Sequence, residues 1–304
     1  MSRSKSDKQT LLMMLLVAII VVLLIIILAL ALKNEKPKTD NSPKVQPTVL
    51  AENDYIAFLD VGQGDGALLK SGDTSAVIDN GRPEGAAAFC EKLKNLGVSN
   101  IKTMLLTHNH DDHMGGSEAV SNAFDINNLI LPDISNTSSP TRILGTVSNT
   151  VSSAGGNVQT AKSGMFYDIG NIKMTVLCCY YQNSNENERS IITLAELGGK
   201  RFLFTGDAGK QAENQMINDG IDFDCDVLKA GHHGSRGAST AQFLALCTPE
   251  YAVISCGAGN QYKHPHEETL SRLINAGAQI LRTDQSGDIT FYVLESILKY
   301  KTQK

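Results

Sequence analysis

Tryptophan is absent from the 304 residues, and aromatic side chains make up only 6% of them. That speaks against a tryptophan-lined cage, the usual receptor for a quaternary ammonium group. The six cysteines (Cys90, Cys178, Cys179, Cys225, Cys247 and Cys256) form no C-x-x-C pair, so a zinc ribbon or thioredoxin-type motif has no support. Most lie in apolar stretches, where a buried free thiol is the default, and nothing in their spacing selects a disulfide pairing. A basic excess is missing as well. Removing the seven Lys/Arg and five Asp/Glu that precede residue 55 from the whole-chain 27 and 32 leaves 20 basic against 27 acidic residues. A generally basic surface for nucleic acid is thereby disfavoured, while a local groove is not. No G-x-S-x-G elbow occurs, Gly234-Ser235 being the nearest approach, and no Ser-His-Asp or catalytic-cysteine arrangement competes for the chemistry.

One long apolar run is present. Leu11 to Leu32 is 22 residues without a polar side chain, bracketed by Lys8 and Lys33. As a helix it would be roughly 33 Å long, against a hydrocarbon core of about 30 Å. A buried soluble helix would keep a polar face, and a cleavable signal would have a shorter apolar stretch, although Ala29-Leu30-Ala31 imitates a cleavage site. The run therefore predicts a membrane anchor behind a tail of residues 1–10. Arg3, Lys5 and Lys8 on one side balance Lys33, Lys36 and Lys38 on the other, so charge does not orient it. The short tail favours a cytoplasmic N-terminus and an extracytoplasmic domain. Residues 33–54, polar and proline-bearing without periodicity, predict a disordered linker, and 55–304 a single folded domain.

Within that domain, alternation and glycine punctuation predict three short strands at 55–61, 66–71 and 75–81, arranged as a meander. A helix over 83–97 puts Phe89, Leu93 and Leu96 on one face and ends at Gly97. Further strands are expected at 101–108, 127–132, 172–178, 190–197, 200–206, 225–231, 251–257, 279–283 and 288–294. Helices should begin near Thr141, Gly209, Thr240 and Glu267. Two blocks of strands with helices between them indicate an α/β domain of two packed sheets under outer helices.

The chemistry begins at His108-Asn109-His110-Asp111-Asp112-His113. His108 and His110 are two apart at a strand end, so their imidazoles share a face. Asp112 and His113 are adjacent, and only a turning loop aims both inward. Two imidazoles, a carboxylate and a third imidazole suit zinc, manganese or iron. All seven histidines lie between residues 108 and 266, in three groups that each follow an expected strand; Asp207 also ends a strand. Strand-end loops gathered on one sheet edge are where α/β proteins assemble sites.

These residues resemble the metallo-β-lactamase fold superfamily. The ordered set Phe58–Asp65, Val77–Gly81, His108–His113, Phe204–Asp207, Leu228–Ser235 and Asn260–Pro265 is similar to the hydrolase domain of ComEC-type competence proteins and to phosphorylcholine esterase domains. The resemblance implies an αββα sandwich with two divalent metal ions, Zn or Mn, at the edge of the sheets. By that likeness His108 and His110 would hold one ion, Asp112, His113 and His233 the other, and Asp207 would bridge them. His232 would contact the substrate phosphate, and Asp79 would orient the histidine loop. Asp60, Asp65, Asn187, Ser190 and Lys263 are expected behind the ligands or near the substrate. One departure matters: no histidine lies between His113 and His232, so the first ion would keep two imidazoles, the bridge and solvent, and bind more weakly. Asn187-Glu188-Arg189-Ser190 stands where the missing ligand would fall and resembles the Asn-x-x-Ser of the ComEC-like domains.

The expected activity is that of a membrane-anchored phosphodiesterase or nuclease, with Asp112 among the reacting groups and His232 or His264 protonating the departing alkoxide. A phosphorylcholine or teichoic-acid esterase is an alternative within enzymes. A non-catalytic module binding DNA or wall polymer is the alternative outside them. The expected partners are the membrane through 11–32, a phosphodiester substrate and a membrane transporter, since one span cannot itself form a channel.

Overall fold

The computed structural model describes residues 53–134 and 142–304. The expected tail and anchor, and all but the last two residues of the expected linker, lie outside them. Among the described residues no helix is long and apolar enough to cross a membrane.

Strands β1 (Asp54–Phe58), β2 (Gly66–Ser71) and β3 (Thr74–Asn80) pair antiparallel as the expected meander. Helix α1 (Ala86–Asn95) follows, burying Phe89 and Leu93 as its periodicity requires. It closes at Gly97 (φ +73°), and Val98 N–H returns to Leu93 O at 3.0 Å. Strand β4 (Ile101–Leu105), short helices α2 (Asp111–Met114) and α3 (Ser117–Ala123), β5 (Ile126–Leu131), α4 (Arg142–Ser153) and β6 (Asn157–Thr160) complete the first half. The second half runs β7 (Phe166–Ile169), β8 (Ile172–Cys178), β9 (Ile192–Leu197), β10 (Lys200–Phe204), α5 (Lys210–Asn218), β11 (Val227–Lys229), α6 (Ala241–Cys247), β12 (Tyr251–Ile254), α7 (Glu267–Asn275), β13 (Gln279–Arg282) and α8 (Thr283–Ser286). Strands β14 (Ile289–Leu294) and β15 (Ile297–Thr302) then return to the first sheet.

One sheet has eight strands in the order β15-β14-β1-β2-β3-β4-β5-β6, the other seven in the order β13-β12-β11-β10-β9-β8-β7. Alternating side chains divide the interior. Ile56, Phe58, Leu69, Ile78, Phe202, Phe204 and Phe291 fill the space between the sheets, with Phe58 and Phe204 stacked at 5.4 Å. Ala57, Leu68 and Val77 point the other way, against Phe89 and Leu93 of α1 and Leu144 and Val147 of α4. On the opposite side Leu203, Leu228 and Ala252 pack on Met216 of α5, Phe243 of α6 and Leu273 of α7. The result is helix layer, sheet, sheet, helix layer: the expected αββα sandwich. Strands covered on both faces read as near-continuous apolar runs, which is why they were visible in the sequence.

Strands β3, β4 and β5 are mutually parallel, as are β10, β11 and β12. Their C-terminal ends deliver Asp79, Thr107-His108, Gly206-Asp207, Gly231-His232-His233 and Ser255. Carboxyl ends of parallel strands form the crevice in which open α/β sheets place their ligands.

Candidate metal centre

The His108–His113 segment leaves β4 and turns at once into α2, with His110 as its extended N-cap (φ −118°, ψ 147°). The turn resolves the difficulty of aiming adjacent Asp112 and His113 inward. Its outer wall is Gly64, whose Cα lies so close that an added Cβ would stand 2.3 Å from Asp112 O; the neighbouring Asp65 N–H donates to that same carbonyl at 3.0 Å. The second sheet aims its histidines differently. His232 (φ 49°, ψ 50°) and His233 (φ 52°, ψ 26°) are consecutive left-handed residues, a conformation costing about 1 kcal/mol or more for each non-glycine residue. Asp79 is likewise left-handed at φ 56°.

Two donor groups meet at one carboxylate. Asp207 is shared between a group with His108 and His110 and a group with Asp65, His113 and His233, the donor atoms in each lying within 4.8 Å of one another. Asp207 Oδ1 is 3.1 Å from His113 Nε2 and 3.4 Å from His233 Nε2, and Asp207 Oδ2 is 3.9 Å from His108 Nε2. Asp112 Oδ2 lies 3.4 Å from His233 Nε2. His113 Nε2, His233 Nε2 and Asp207 Oδ1 are buried and have no hydrogen-bond partner among the described residues. Such atoms are costly unless something satisfies them, and three converging nitrogen and oxygen donors are what a divalent ion requires.

The opposite ring nitrogens are occupied. His113 Nδ1 is 2.7 Å from Asp79 Oδ2, and Asp79 also receives Thr107 N–H at 2.8 Å and Thr107 Oγ1–H at 2.7 Å. His233 Nδ1 faces Ser255 O at 2.9 Å. These contacts fix each ring and leave Nε2 free, as carboxylates and carbonyls do behind metal-bound histidines. Asp65 belongs with them and not with the ligands: it approaches Nδ1 of His233 (3.2 Å) and of His113 (3.8 Å), and Lys229 Nζ holds it at 2.6 Å. Ser190 Oγ accepts Asp207 N–H at 3.0 Å, donates to Asn187 O at 2.8 Å and lies 3.3 Å from His108 Nδ1.

Charge follows geometry. Burial alone would raise Asp207, but His233 and His113 hold its carboxyl well below the usual range. Burial opposes a charge on His233, yet Asp207 and Asp65 raise it to about 9. His113 is raised well above its ordinary value against its burial by Asp207 and Asp79. His108 is pushed well down by burial and by His113. The carboxylates thus hold protons on His113 and His233, which a cation would displace.

A cavity of about 340 Å³ opens over the cluster, lined by His110, Asp112, Asp207 and His233 together with Asn187, His232, His264, Gln63, Arg82, Asp111 and Tyr262. His232 is half-buried there, its Nε2 3.6 Å from Asp207 Oδ2 and its Nδ1 3.4 Å from Asn187 Nδ2. His264 is lowered to about 4 by burial and by His232 and His233; His232 is lowered by burial.

Two expected positions lie elsewhere. Asp60 accepts Gly62 N–H at 3.1 Å and sits 3.7 Å from Lys304 Nζ, so it shapes its own loop and touches no member of the cluster. Lys263 stands exposed in a left-handed turn (φ 59°), outside the cavity lining. Sequence reasoning passed over Thr107, Lys229, Gln63, Arg82 and Tyr262. Thr107 and Lys229 are polar residues at the ends of buried strands, and Gln63 and Tyr262 stand inside the motifs that carry the resemblance; Arg82 alone carried no signal.

The two-sheet α/β fold is the metallo-β-lactamase fold, whose proteins bind divalent metals, and the sequence profile of the metallo-beta-lactamase superfamily matches residues 59–146. Among curated proteins the chain is similar to ComEC-type competence proteins. It is 27% identical over 267 residues to ComE operon protein 3 of Bacillus subtilis, covering 81% of this chain and 34% of that protein. It is 28% identical over 255 residues to competence protein ComA of Neisseria gonorrhoeae, covering 81% and 33%. Against recombination protein 2 of Haemophilus influenzae it is 29% identical over 238 residues, covering 77% and 28%. The chain therefore spans about a third of the length of these relatives. Among solved structures, the metallo-beta-lactamase fold protein YhfI of Bacillus subtilis aligns with a TM-score of 0.51 at 10% identity, over 81% of this chain and 100% of that one. Zinc-bound PqqB of Methylobacterium extorquens gives 0.51 at 12% identity, over 78% and 100%. These two likenesses concern the fold alone.

Proposed function

We propose that the chain is a membrane-anchored, metal-dependent phosphodiester hydrolase acting as a nuclease outside the cytoplasmic membrane. The observation that carries this reading is one carboxylate, Asp207, shared by two histidine-bearing donor groups beneath an open cavity. In it His108, His110 and Asp207 hold one divalent ion, and Asp112, His113, Asp207 and His233 hold a second, zinc or manganese. Two such ions activate water and neutralise the charge that develops on a phosphodiester during in-line displacement. Asp79 and Ser255 O orient His113 and His233, while Ser190 fixes the backbone of Asp207. His232 and His264 are held neutral near pH 7, so they meet the substrate as ring N–H donors. Either serves as the acid for the leaving oxygen once the anionic diester raises it.

Residues 11–32 anchor the domain to the membrane in this reading, beside a transporter that supplies the channel one span cannot form. The test uses the whole chain in detergent micelles, with metal content measured and bis-p-nitrophenyl phosphate and single-stranded DNA offered under Mn²⁺ and Zn²⁺. Asp207→Asn should lose both ions and all turnover. His110→Ala should retain one ion and lose about a hundredfold or more in turnover. Bound metal without turnover of either substrate would replace the hydrolase by a binding module, and a wild-type chain without metal would remove the site assignment altogether.

A further inference from the structure

Tyr262 is 45% exposed at the mouth of the cavity, one of two exposed aromatic rings among the described residues, the other being Phe166. It does not wave freely. Its ring stacks on His264 at 5.7 Å and 24°, and the His264 ring stands 5.4 Å from His232. The turn beneath is clamped by Asn260, which donates to His264 O at 2.6 Å and accepts His264 N–H at 3.0 Å. A row of rings thus leads from the solvent edge of the cavity to the metal cluster, with the outermost face open.

The first sheet supplies the complement. Arg82, in the loop after β3, is the one Lys or Arg among the described residues that line the cavity, and its guanidinium has no ion pair or hydrogen bond among them. A planar ring on a fixed support and an unpaired guanidinium, lining one cavity with the donor cluster, match a ligand that carries a flat aromatic group next to a phosphate and a second anion. A quaternary ammonium group would need rings on several sides, and Tyr262 is the only Phe or Tyr in the lining among the described residues.

We propose that Tyr262 is the stacking platform of a nucleotide subsite, taking the base next to the scissile phosphate while Arg82 takes the neighbouring phosphate. The proposal rests on the phosphodiesterase reading and assigns its substrate side. Stacking of one base on an aromatic side chain corresponds to about tenfold in affinity.

The experiment compares thymidine 5′-(p-nitrophenyl phosphate) with methyl p-nitrophenyl phosphate, both releasing p-nitrophenolate, on the manganese-loaded whole chain in micelles. Tyr262→Ala should lower the preference for the nucleoside ester about tenfold, and Tyr262→Trp should keep it. Arg82→Gln should weaken a thymidine dinucleotide more than the nucleoside ester. In parallel, calorimetry measures binding of thymidine 5′-monophosphate, phosphorylcholine and methyl phosphate. An unchanged preference in Tyr262→Ala, or phosphorylcholine bound more tightly than the nucleotide through Tyr262, would overturn the subsite. Nucleotide binding that depends on Tyr262 while neither ester turns over would instead remove the hydrolase and keep the subsite.

Discussion

A lysine ammonium exposed to only 3% must be paired, and Lys229 spends its charge on Asp65 at 2.6 Å and on Ala230 O at 3.0 Å. The pairing decides what Asp65 can be. Held by Lys229, its carboxylate stays behind the rings of His113 and His233 instead of crossing to their free nitrogens. Lys229→Met should therefore destabilise the fold by about 3–5 kcal/mol in denaturant titrations, because it strands a buried carboxylate. The double variant Asp65→Asn/Lys229→Met should recover most of that loss, the coupling being read from the double-mutant cycle. A loss in the double variant equal to the sum of the two single losses would mean that the two charges act independently. None of this was legible beforehand. Lys229 reads as an interruption in the apolar run from Val227 to Ala230, and only the register of β11 turns it towards Asp65. The histidines were legible because their spacing and strand-end positions are local properties of the chain. Asp60 misled because Asp65 in the same loop does point to the cluster, and a sequence separation of five says nothing about which side of a loop faces in.

Among elements, a tight fit that bears on the site is between the loop before β2 and helix α2. Gly64, at φ +151°, lets the first sheet's loop lie against the Asp112 carbonyl. Gly64→Ala should push α2 outward, cutting metal retention at the Asp112 side at least tenfold while the His108–His110 group keeps its ion; metal titration of the variant reads the two separately. The long interior strands were visible in sequence from their apolar runs. Strands β6, β7 and β15 were not: β6 is Asn157–Thr160 without a buried residue, and β7 and β15 each bury a single side chain. They exist because a neighbouring strand offers hydrogen bonds, a condition no local pattern encodes.

For the whole molecule, the cluster couples proton binding, metal binding and stability. Against its burial, His233 is raised to about 9 from an ordinary value near 6.5, chiefly by Asp207 and Asp65. A histidine raised in this way stabilises the fold fully below its unfolded value and loses that contribution as pH climbs through 9. Metal requires the neutral ring, so loading works in the opposite direction and strengthens as protons leave. The gap in melting temperature between zinc-loaded and chelated protein should therefore widen from pH 6 to pH 9. Calorimetry at pH 7 in buffers of different ionisation enthalpy should detect protons released on loading. A gap that stays flat from pH 6 to pH 9 would show that His233 and His113 are neutral before metal arrives.

The order of strands also sets a timetable. Strand β1 lies between β2 and β14, and its register with β14 pairs Phe58 with Ile289 and Tyr55 with Tyr292. On the ribosome one edge of β1 stays bare until some 230 residues later in the chain have been made. Every candidate ligand will by then have emerged, but the first sheet, whose β4 leads into four of the six, is still incomplete. A nascent chain stalled before Ile289 presents the unpaired edge of the five-residue strand β1 to its surroundings, an invitation to pair with another unfinished copy. The first sheet is thus completed only once β14 has emerged, and until then the unpaired edge of β1 is the part of the domain most open to misassembly.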